Sequence, residues 1–373
     1  MAEQNNRIDH DRIKERMGGP GGKLVMGIDG FIDEVWQIIA SRDSMSEYLL
    51  YEKMTDFSGA FAKCSEGGYS NEIVRKRRSY GGFTANTGKA VTRLGVRPVM
   101  LGRFGANAID PVFAGFAESN ELVSVGDPGN VQIYEFTDGK LMLVHLQEVM
   151  GFDWKCLTDA VPEAGLKAIF ADADIIAIGY WSLMPAFDEI VTQVCGLVRG
   201  CGKQQRMFFD FADIRKRDRA SLDSTLGHLA ELNRQIPMTL SLNENEAEIL
   251  FSYHGEPFSL EDPSGADIQA ERMRGAIGID ELIVHTPYFA AAASESGGSC
   301  VMRQHYCTSP VITTGAGDNF NGGYLAAALN GLDMHERLAV ANAVTHQYVR
   351  LGYSPDMEEM LAELAEACRE SDL

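Results

Sequence analysis

The sequence predicts an α/β fold with a mostly parallel central sheet covered by helices on both faces, because short apolar runs alternate with helical patterns along the chain. The clearest predicted strands are buried runs at 99–103, 175–178, 207–211, 239–242 and 282–286. The helical patterns that accompany them lie at 186–198, 220–233, 266–276 and 335–349. Ligands of such sheets bind at the carboxyl ends of the strands, which is where Asp33, Asp210, Asn243 and Thr286 fall.

One hairpin interrupts this alternation. Residues 131–136 and 141–146 alternate apolar and polar around Thr137-Asp138-Gly139-Lys140, which is a strong signal for two antiparallel strands. The segment 42–79 is not helical throughout and is expected to add strands beside this hairpin.

Composition restricts the function classes. The 373 residues include 45% hydrophobic residues, enough for a large globular core. The formal net charge of -20, from 33 basic and 53 acidic residues, argues against a nucleic-acid or anionic-membrane partner. Seven scattered cysteines without a C-x-x-C pair suggest neither a zinc site nor a disulfide framework. The polar N-terminus and the absence of an apolar run of roughly 18 residues predict a cytoplasmic protein.

The segment TTGAGDNFNGG at residues 313–323 places a glycine turn directly before an apolar helical run. The first amides of a helix have no partner inside it and lie at the positive end of its dipole, so this arrangement favours an anion. Asp318 would stand where a carboxylate can take a proton from a hydroxyl that attacks a phosphate. The alternative is that Gly315 and Gly317 serve only a tight turn and that Asp318 merely caps the helix.

Two further segments contain patterns suited to ligand binding. Gly81-Gly82 is followed by Asn86 and by a helix that ends in Leu94-Gly95. Paired glycines let a polyhydroxy substrate approach the backbone, and a carboxamide both donates to and accepts from hydroxyls. Asn243 and Glu246 form an N-x-x-E element after the apolar run 238–242. Mg²⁺ needs only one or two carboxylates, although a solvated acidic helix start is the alternative.

In their order along the chain, these segments resemble the signatures of the ribokinase, or PfkB, family of carbohydrate and nucleoside kinases. The resemblance implies a ribokinase-like three-layer α/β/α sandwich with a small β lid over the sugar. It also implies that Asp318 is the catalytic base, with Gly315, Ala316 and Gly317 forming the anion hole. Asn243 and Glu246 would organise Mg²⁺ at the nucleotide, and Gly81, Gly82 and Asn86 would bind the sugar.

Other positions match the family less closely. The strand 24–28 leads to an aspartate that should bond substrate hydroxyls, and Asp33 is the prediction although Asp29 competes for the role. Arg215 is predicted to contact the substrate, with a simple basic surface as the alternative. Thr286 is predicted in the nucleotide loop and Asn342 on the helix that lines the adenine pocket.

Two departures leave the details of the chemistry open. The family's aspartate that helps hold a monovalent cation is replaced by Ile312, so the need for such a cation is uncertain. The loop Thr286-Pro287-Tyr288 lacks the family's glycine, which leaves the donor preference uncertain.

The sequence therefore predicts an ATP- and Mg²⁺-dependent kinase that acts on a hydroxyl of a sugar or sugar acid. A nucleoside kinase and a sugar-binding protein that has lost catalysis are the alternatives. The kinase domain is predicted at 20–373, with lid segments 42–79 and 127–148 and an N-terminal extension at 1–19. A homodimer formed through the lid is also expected.

Overall fold

Fourteen strands lie within the part of the chain that the computed structural model describes, residues 8–64 and 67–371. In chain order they are β1 Leu24–Gly27, β2 Phe31–Arg42, β3 Tyr48–Leu50, β4 Ile73–Gly81, β5 Val99–Gly102, β6 Glu121–Ser124, β7 Gly129–Phe136, β8 Gly139–His145, β9 Ile175–Gly179, β10 Arg206–Asp210, β11 Met238–Asn243, β12 Glu281–His285, β13 Phe289–Ser294 and β14 Gly298–Arg303. The five strands predicted with most confidence from the sequence match β5, β9, β10, β11 and β12 within one residue at each end.

The same described residues contain fourteen α-helices, together with three short 3₁₀ turns. The helices are α1 His10–Met17, α2 Met54–Ala62, α3 Phe83–Arg93, α4 Ala114–Ala117, α5 Gln147–Met150, α6 Trp154–Ala160, α7 Glu163–Asp172, α8 Phe187–Val198, α9 Arg219–Asn233, α10 Glu244–Tyr253, α11 Ala266–Ile277, α12 Ala316–Leu329, α13 Met334–Leu351 and α14 Met357–Ser371. The four helices predicted from periodicity correspond to α8, α9, α11 and α13.

Nine strands form the central sheet in the order β14-β13-β12-β11-β10-β9-β1-β5-β6. The seven strands from β12 to β6 pair in parallel, whereas β13 and β14 are antiparallel to their neighbours. Parallel strands are apolar on both sides because helices cover both faces. In β9, Ile176 and Ile178 face one layer of helices, and Ile175 and Ala177 face the other.

The two faces have separate hydrophobic cores. One core packs helices α7 to α11 on the sheet, and the other packs α1, α3, α12, α13 and α14. The predicted three-layer α/β/α sandwich with a mostly parallel sheet is therefore confirmed. No helix in the described part of the chain combines the length and the apolar character needed to cross a membrane.

A second, five-stranded sheet forms the lid, with strands in the order β3-β2-β7-β8 and with β4 also paired to β2. The lid sheet starts at Phe31 rather than at residue 42, because β2 follows β1 after a short turn. The long segment 42–79, whose residues 65 and 66 lie outside the described residues, contains helix α2. There Phe57 stacks on Phe136 of the hairpin, with ring centroids 5.9 Å apart. These extra residues therefore support the hairpin.

The predicted N-terminal extension, 1–19, is described from residue 8 onward. Its helix α1 buries Ile13 and Met17 in the core beneath α12 to α14. Asp9 caps the helix by accepting a hydrogen bond from the Arg12 amide at 3.0 Å. The described part of this segment therefore packs on the central α/β core as part of the same hydrophobic layer.

Candidate active site

The N-terminus of helix α12 lies at the carboxyl edge of the central sheet. Gly315 precedes the helix with φ 87°, a left-handed conformation that favours glycine. The Ala316 amide donates to the Thr313 carbonyl at 3.1 Å. The amides of Gly317 and Asp318 donate to no atom of the described residues. The unpartnered amides of this turn are therefore those of Gly317 and Asp318, while that of Ala316 closes the turn.

Asp318 is held by two side chains of helix α3. Asn86 Nδ2 donates to Asp318 Oδ2 at 2.9 Å, and Thr87 Oγ1 lies 3.4 Å from Asp318 Oδ1. Burial raises the pKa of Asp318 well above the usual value, and the nearby charges of Asp210 and Asp29 raise it further, against the two hydrogen bonds. A carboxyl group with a raised pKa is a stronger base, as proton abstraction near neutral pH requires.

Asp210, at the end of β10, is fixed from two directions. Its Oδ1 accepts from the Ala212 amide at 2.7 Å, and its Oδ2 accepts from Asn321 Nδ2 at 2.6 Å. Asn321 in turn accepts from Ser241 Oγ at 2.7 Å. This chain of bonds connects β10, β11 and α12, so it orients the Asp210 carboxylate relative to Asp318.

Helix α10 begins with a capping box. Asn243 Oδ1 accepts from the Glu246 amide at 3.1 Å, and Glu246 Oε2 accepts from the Asn243 amide at 3.0 Å. Glu246 Oε1 is buried and has no hydrogen-bond partner among the described residues. Burial, followed by the charge of Asp210, raises the pKa of Glu246 well above its usual value.

These acids fit a magnesium ion. Glu246, Asp210, Asp213 and Asp318 line one cavity of about 250 Å³. Mg²⁺ prefers carboxylate and water oxygens and keeps several of its waters, so one or two direct contacts suffice. A divalent cation would supply a partner for Glu246 Oε1 and would offset the mutual repulsion of the buried carboxylates.

An adjoining cavity of about 400 Å³ shares Asn243, Asn245, Gly315 and Gly317 with the acidic one. Its other walls come from the segment 304–307, from Thr286-Pro287 and from helix α13. Tyr306 of this wall stacks on Tyr288, with ring centroids 4.7 Å apart. The helix start therefore separates an acidic cavity from a larger one with aromatic walls.

Two residues predicted for the nucleotide make other contacts. Thr286 lines the larger cavity, but its Oγ1 accepts from the Tyr288 and Phe289 amides at 3.0 and 3.1 Å. Its hydroxyl thus stabilises the turn between β12 and β13. Asn342 Nδ2 donates to the Arg303 carbonyl at 3.3 Å and does not reach this cavity, whose lining from α13 is Thr345 and Val349.

Asp33 on β2 and Gly81 on β4 lie together in the lid sheet. A Cβ atom at Gly81 would lie 2.6 Å from Asp33 Oδ2, so the glycine leaves this carboxylate room. Burial raises the pKa of Asp33 to about 6, against the positive charges of Arg77 and Lys140. The sequence predicts that Asp33 bonds sugar hydroxyls and that Gly81 belongs to the same substrate site, and the two residues are indeed neighbours.

Asp29, the alternative candidate for bonding the sugar, instead accepts hydrogen bonds from the start of helix α3. Its Oδ1 accepts from the Thr84 amide at 2.9 Å and also from the Thr84 hydroxyl. Gly82, with φ 95°, leaves room for the second oxygen, Oδ2. Burial raises the pKa of Asp29 to about 6 despite these bonds. Asp29 therefore holds the start of α3, while Asp33 retains an uncommitted carboxylate.

Arg215 lies in the acidic cavity with Glu246, away from Asp33 and Gly81. Its guanidinium pairs with Asp213, the Nε to Oδ1 distance being 2.7 Å, and most of the side chain is exposed to solvent. The structure thus places this predicted substrate contact beside Asp213 and Glu246 of the acidic cavity.

Sequence reasoning missed three residues that contact Asp318 or the turn before it. Thr87 directly follows Asn86, and its helical position beside Asn86 was a usable signal. Lys140, at the tip of the lid hairpin, donates from Nζ to Thr314 Oγ1 at 3.1 Å. Tyr348 donates to the Thr314 carbonyl at 2.7 Å. Neither Lys140 nor Tyr348 is near the glycine turn in sequence, so only the folded chain reveals them.

Comparison with known proteins identifies the family of the chain. The model of the prokaryotic ketohexokinase family matches residues 6–367. A ketohexokinase of Haloferax volcanii is 26% identical over 369 residues, which cover 94% of this chain and 92% of that protein.

Several solved structures share the fold. A ribokinase of Arabidopsis thaliana complexed with ribose and ATP has a TM-score of 0.65 at 19% identity, covering 92% of this chain and 99% of that one. A fructokinase of Xylella fastidiosa with bound ATP has a TM-score of 0.60 at 15% identity, covering 92% and 98%. The fold is thus that of ribokinase, and the chain belongs to the prokaryotic ketohexokinase family, whose members are carbohydrate kinases.

Proposed function

We propose that the protein transfers the γ-phosphoryl group of ATP to a hydroxyl of a ketohexose, with Asp318 as the general base. The observation that carries this proposal is the position of Asp318. It lies at the start of α12, is held by Asn86 and Thr87, and lines the acidic cavity. Burial raises the pKa of Tyr180, and Asp318 and Asp33 are both close enough to it for their charges to raise that pKa further. The acceptor class rests on the family of the chain and on the name of its Haloferax relative.

Asp318 removes the proton of the attacking hydroxyl as that oxygen approaches phosphorus. Its raised pKa makes proton transfer favourable, and Asn86 holds the carboxylate in one orientation. The unpartnered amides of Gly317 and Asp318 offset the negative charge that spreads over the phosphoryl oxygens. These amides need no rearrangement during the reaction because the helix already fixes them.

The acidic cavity would hold the Mg²⁺ ion that accompanies the nucleotide. Glu246 and Asp210 would hold Mg²⁺, directly or through water, with Asn243 positioning Glu246 through the capping box. Bound Mg²⁺ neutralises phosphate charge. The larger cavity accepts the rest of the nucleotide between Tyr306 and the α13 residues Thr345 and Val349.

The lid binds the sugar and excludes water. Asp33 accepts hydrogen bonds from sugar hydroxyls, and the bare backbone at Gly81 lets the ring approach. Water in this space would compete with the sugar for the phosphoryl group, so closure of the lid limits hydrolysis. The contact of Lys140 with Thr314 keeps the hairpin against the glycine turn.

The lid also supports the proposal of a homodimer. Strand β8 is the last strand of the lid sheet, and Met142, Leu143 and Val144 are 43%, 51% and 42% exposed. An edge strand with exposed apolar side chains favours association with another chain. A second copy of this protein, docking lid against lid, would cover these residues.

We expect Leu143→Glu to shift the protein toward the monomer, because a two-fold interface would then bury two added charges. Sedimentation velocity over a concentration series measures the change. Ile268→Glu is the matched control, since Ile268 is 55% exposed on α11, remote from the lid. A wild type that stays monomeric at every concentration would contradict the dimer.

We expect Asp318→Asn to lower kcat with ATP and fructose by about a thousandfold, because the amide cannot accept the hydroxyl proton. Coupled detection of ADP and of sugar phosphate gives the rate. Asp223→Asn, an equally small change at an exposed position on α9, should retain wild-type kcat. Equal activity of Asp318→Asn and wild type would remove Asp318 from the mechanism.

Asn86→Leu tests whether helix α3 sets the pKa of Asp318 through the Asn86 side chain. The Asn86 hydrogen bond lowers the pKa of Asp318, so its loss should raise that pKa and move the acid limb of the kcat/KM profile to higher pH. A change in KM for the sugar with an unmoved acid limb would instead indicate that Asn86 acts only on the substrate. The pH profile therefore separates the predicted substrate contact from the observed contact with Asp318.

Glu246→Gln should weaken the apparent affinity for Mg²⁺ by about tenfold or more, because it removes the charge of Oε1 while the capping box can still form. Mg²⁺ titrations of the kinase rate measure this effect. The chain offers a matched control, since Asp333 and Glu336 form a second capping box at the start of α13. Glu336→Gln should leave the Mg²⁺ dependence unchanged, and equal effects of the two variants would contradict the metal role.

A further inference from the structure

A second group of potential metal ligands lies outside the acidic cavity. His305 follows β14, His346 lies on α13 and Glu363 lies on α14. One ligand atom from each of the three residues falls within 4.8 Å of the others. His346 Nδ1 is 2.5 Å and His305 Nδ1 is 3.6 Å from Glu363 Oε1. The rings are nearly perpendicular, with centroids 5.6 Å apart, so both present a nitrogen to one oxygen.

The Glu363 carboxylate is already oriented for this contact. Its side chain is only 3% exposed, and Oε2 accepts from Gln347 Nε2 at 2.7 Å and from Arg350 Nη1 at 3.2 Å. These bonds occupy Oε2 and leave Oε1 facing the two imidazoles. Partners of this kind around a ligand carboxylate fix its direction and are a common feature of metal sites.

We propose that His305, His346 and Glu363 bind a zinc ion. Tetrahedral Zn²⁺ with bonds of about 2.0–2.1 Å separates its ligand atoms by roughly 3.4 Å, close to the distance between His305 Nδ1 and Glu363 Oε1. The ion replaces the proton shared by His346 and Glu363 and widens their short contact. Two imidazoles and one carboxylate leave a fourth position for water.

The donor atoms select the type of metal. Two imidazole nitrogens favour Zn²⁺ and related transition ions, whereas Mg²⁺ prefers oxygen ligands in octahedral geometry. This site and the acidic cavity should therefore bind different ions. The charge of Arg350, which opposes cation binding, is directed at the other carboxylate oxygen, and its side chain is 45% exposed.

The position of the site gives the metal a structural role. His305 belongs to the segment 304–307, which forms one wall of the larger cavity and whose Tyr306 stacks on Tyr288. Zinc would fasten this wall to helices α13 and α14 at one point. The alternative role of the three residues is an ion-pair cluster that joins the same elements without a metal, and the experiment separates the two.

The test measures metal binding to the full chain after dialysis against a chelator, with Mg²⁺ in excess to occupy the acidic cavity. We expect one equivalent of Zn²⁺ per chain, a rise in Tm on adding Zn²⁺, and a Co²⁺ visible spectrum of the tetrahedral type. His346→Gln and Glu363→Gln should each weaken Zn²⁺ binding more than about tenfold and abolish the Zn²⁺-dependent rise in Tm. None of these readouts uses the kinase reaction, so their outcome is separate from that of the proposed function.

His254→Gln is the matched control, since His254 is exposed at the end of α10 and should bind zinc as the wild type does. Wild-type protein that binds no Zn²⁺, or His346→Gln protein that binds it with wild-type affinity, overturns the proposal and leaves an ion-pair cluster. If Glu363→Gln does not fold, His346→Gln decides alone, because it leaves the bonds of Glu363 to Gln347 and Arg350 intact.

Discussion

The close packing of helix α3 against helix α12 is the contact on which the candidate active site depends. A Cβ atom at Gly322 would overlap the Ala90 side chain and lie 3.3 Å from the Thr87 carbonyl, so glycine sets the distance between the helices. That distance brings Asn86 and Thr87 to Asp318. On the opposite side, Gly323 lets helix α13 approach in the same way. Gly322 and Gly323 thus position the Asp318 carboxylate, while Gly315 and Gly317 shape the turn that carries the unpartnered amides.

The site buries several carboxylates close together, and burying their negative charge destabilises the folded protein. Burial raises the pKa values of Asp318, Asp210 and Glu246, and those of Asp29 and Asp33 to about 6. A carboxyl group whose pKa is higher in the folded than in the unfolded protein stabilises the fold below its unfolded pKa, and this contribution is lost as the pH rises through the folded pKa. For Asp29 and Asp33 that loss falls between about pH 4 and pH 6. In the proposed mechanism, bound cations and substrate hydroxyls would compensate for this buried charge, so catalysis would use carboxylates that weaken the free protein.

Local sequence patterns were sufficient to predict much of the fold and part of the candidate site. Short apolar runs identified the parallel strands, and the glycine turn before Asp318 identified the start of helix α12. Both patterns depend only on residues that are neighbours in the sequence. The lid boundary at Phe31 was missed since β2 pairs with β4 and β7, which are distant in sequence. Thr286 and Asn342 were assigned by resemblance, yet their side chains bond a turn and the Arg303 carbonyl. His305, His346 and Glu363 come together only when three separate elements pack. No local sequence motif therefore predicts that they are neighbours.

The bond between Lys140 and Thr314 joins the hairpin of β7 and β8 to the loop that precedes the unpartnered amides of Gly317 and Asp318. A displacement of the hairpin away from the turn would remove this ammonium group from the neighbourhood of those amides. Under the proposed role of the lid, access to the cleft and the electrostatic potential inside it would therefore change together. Dissolved salt, which screens an exposed ammonium group, should act on the opening of this enzyme as well as on its encounters with charged ligands.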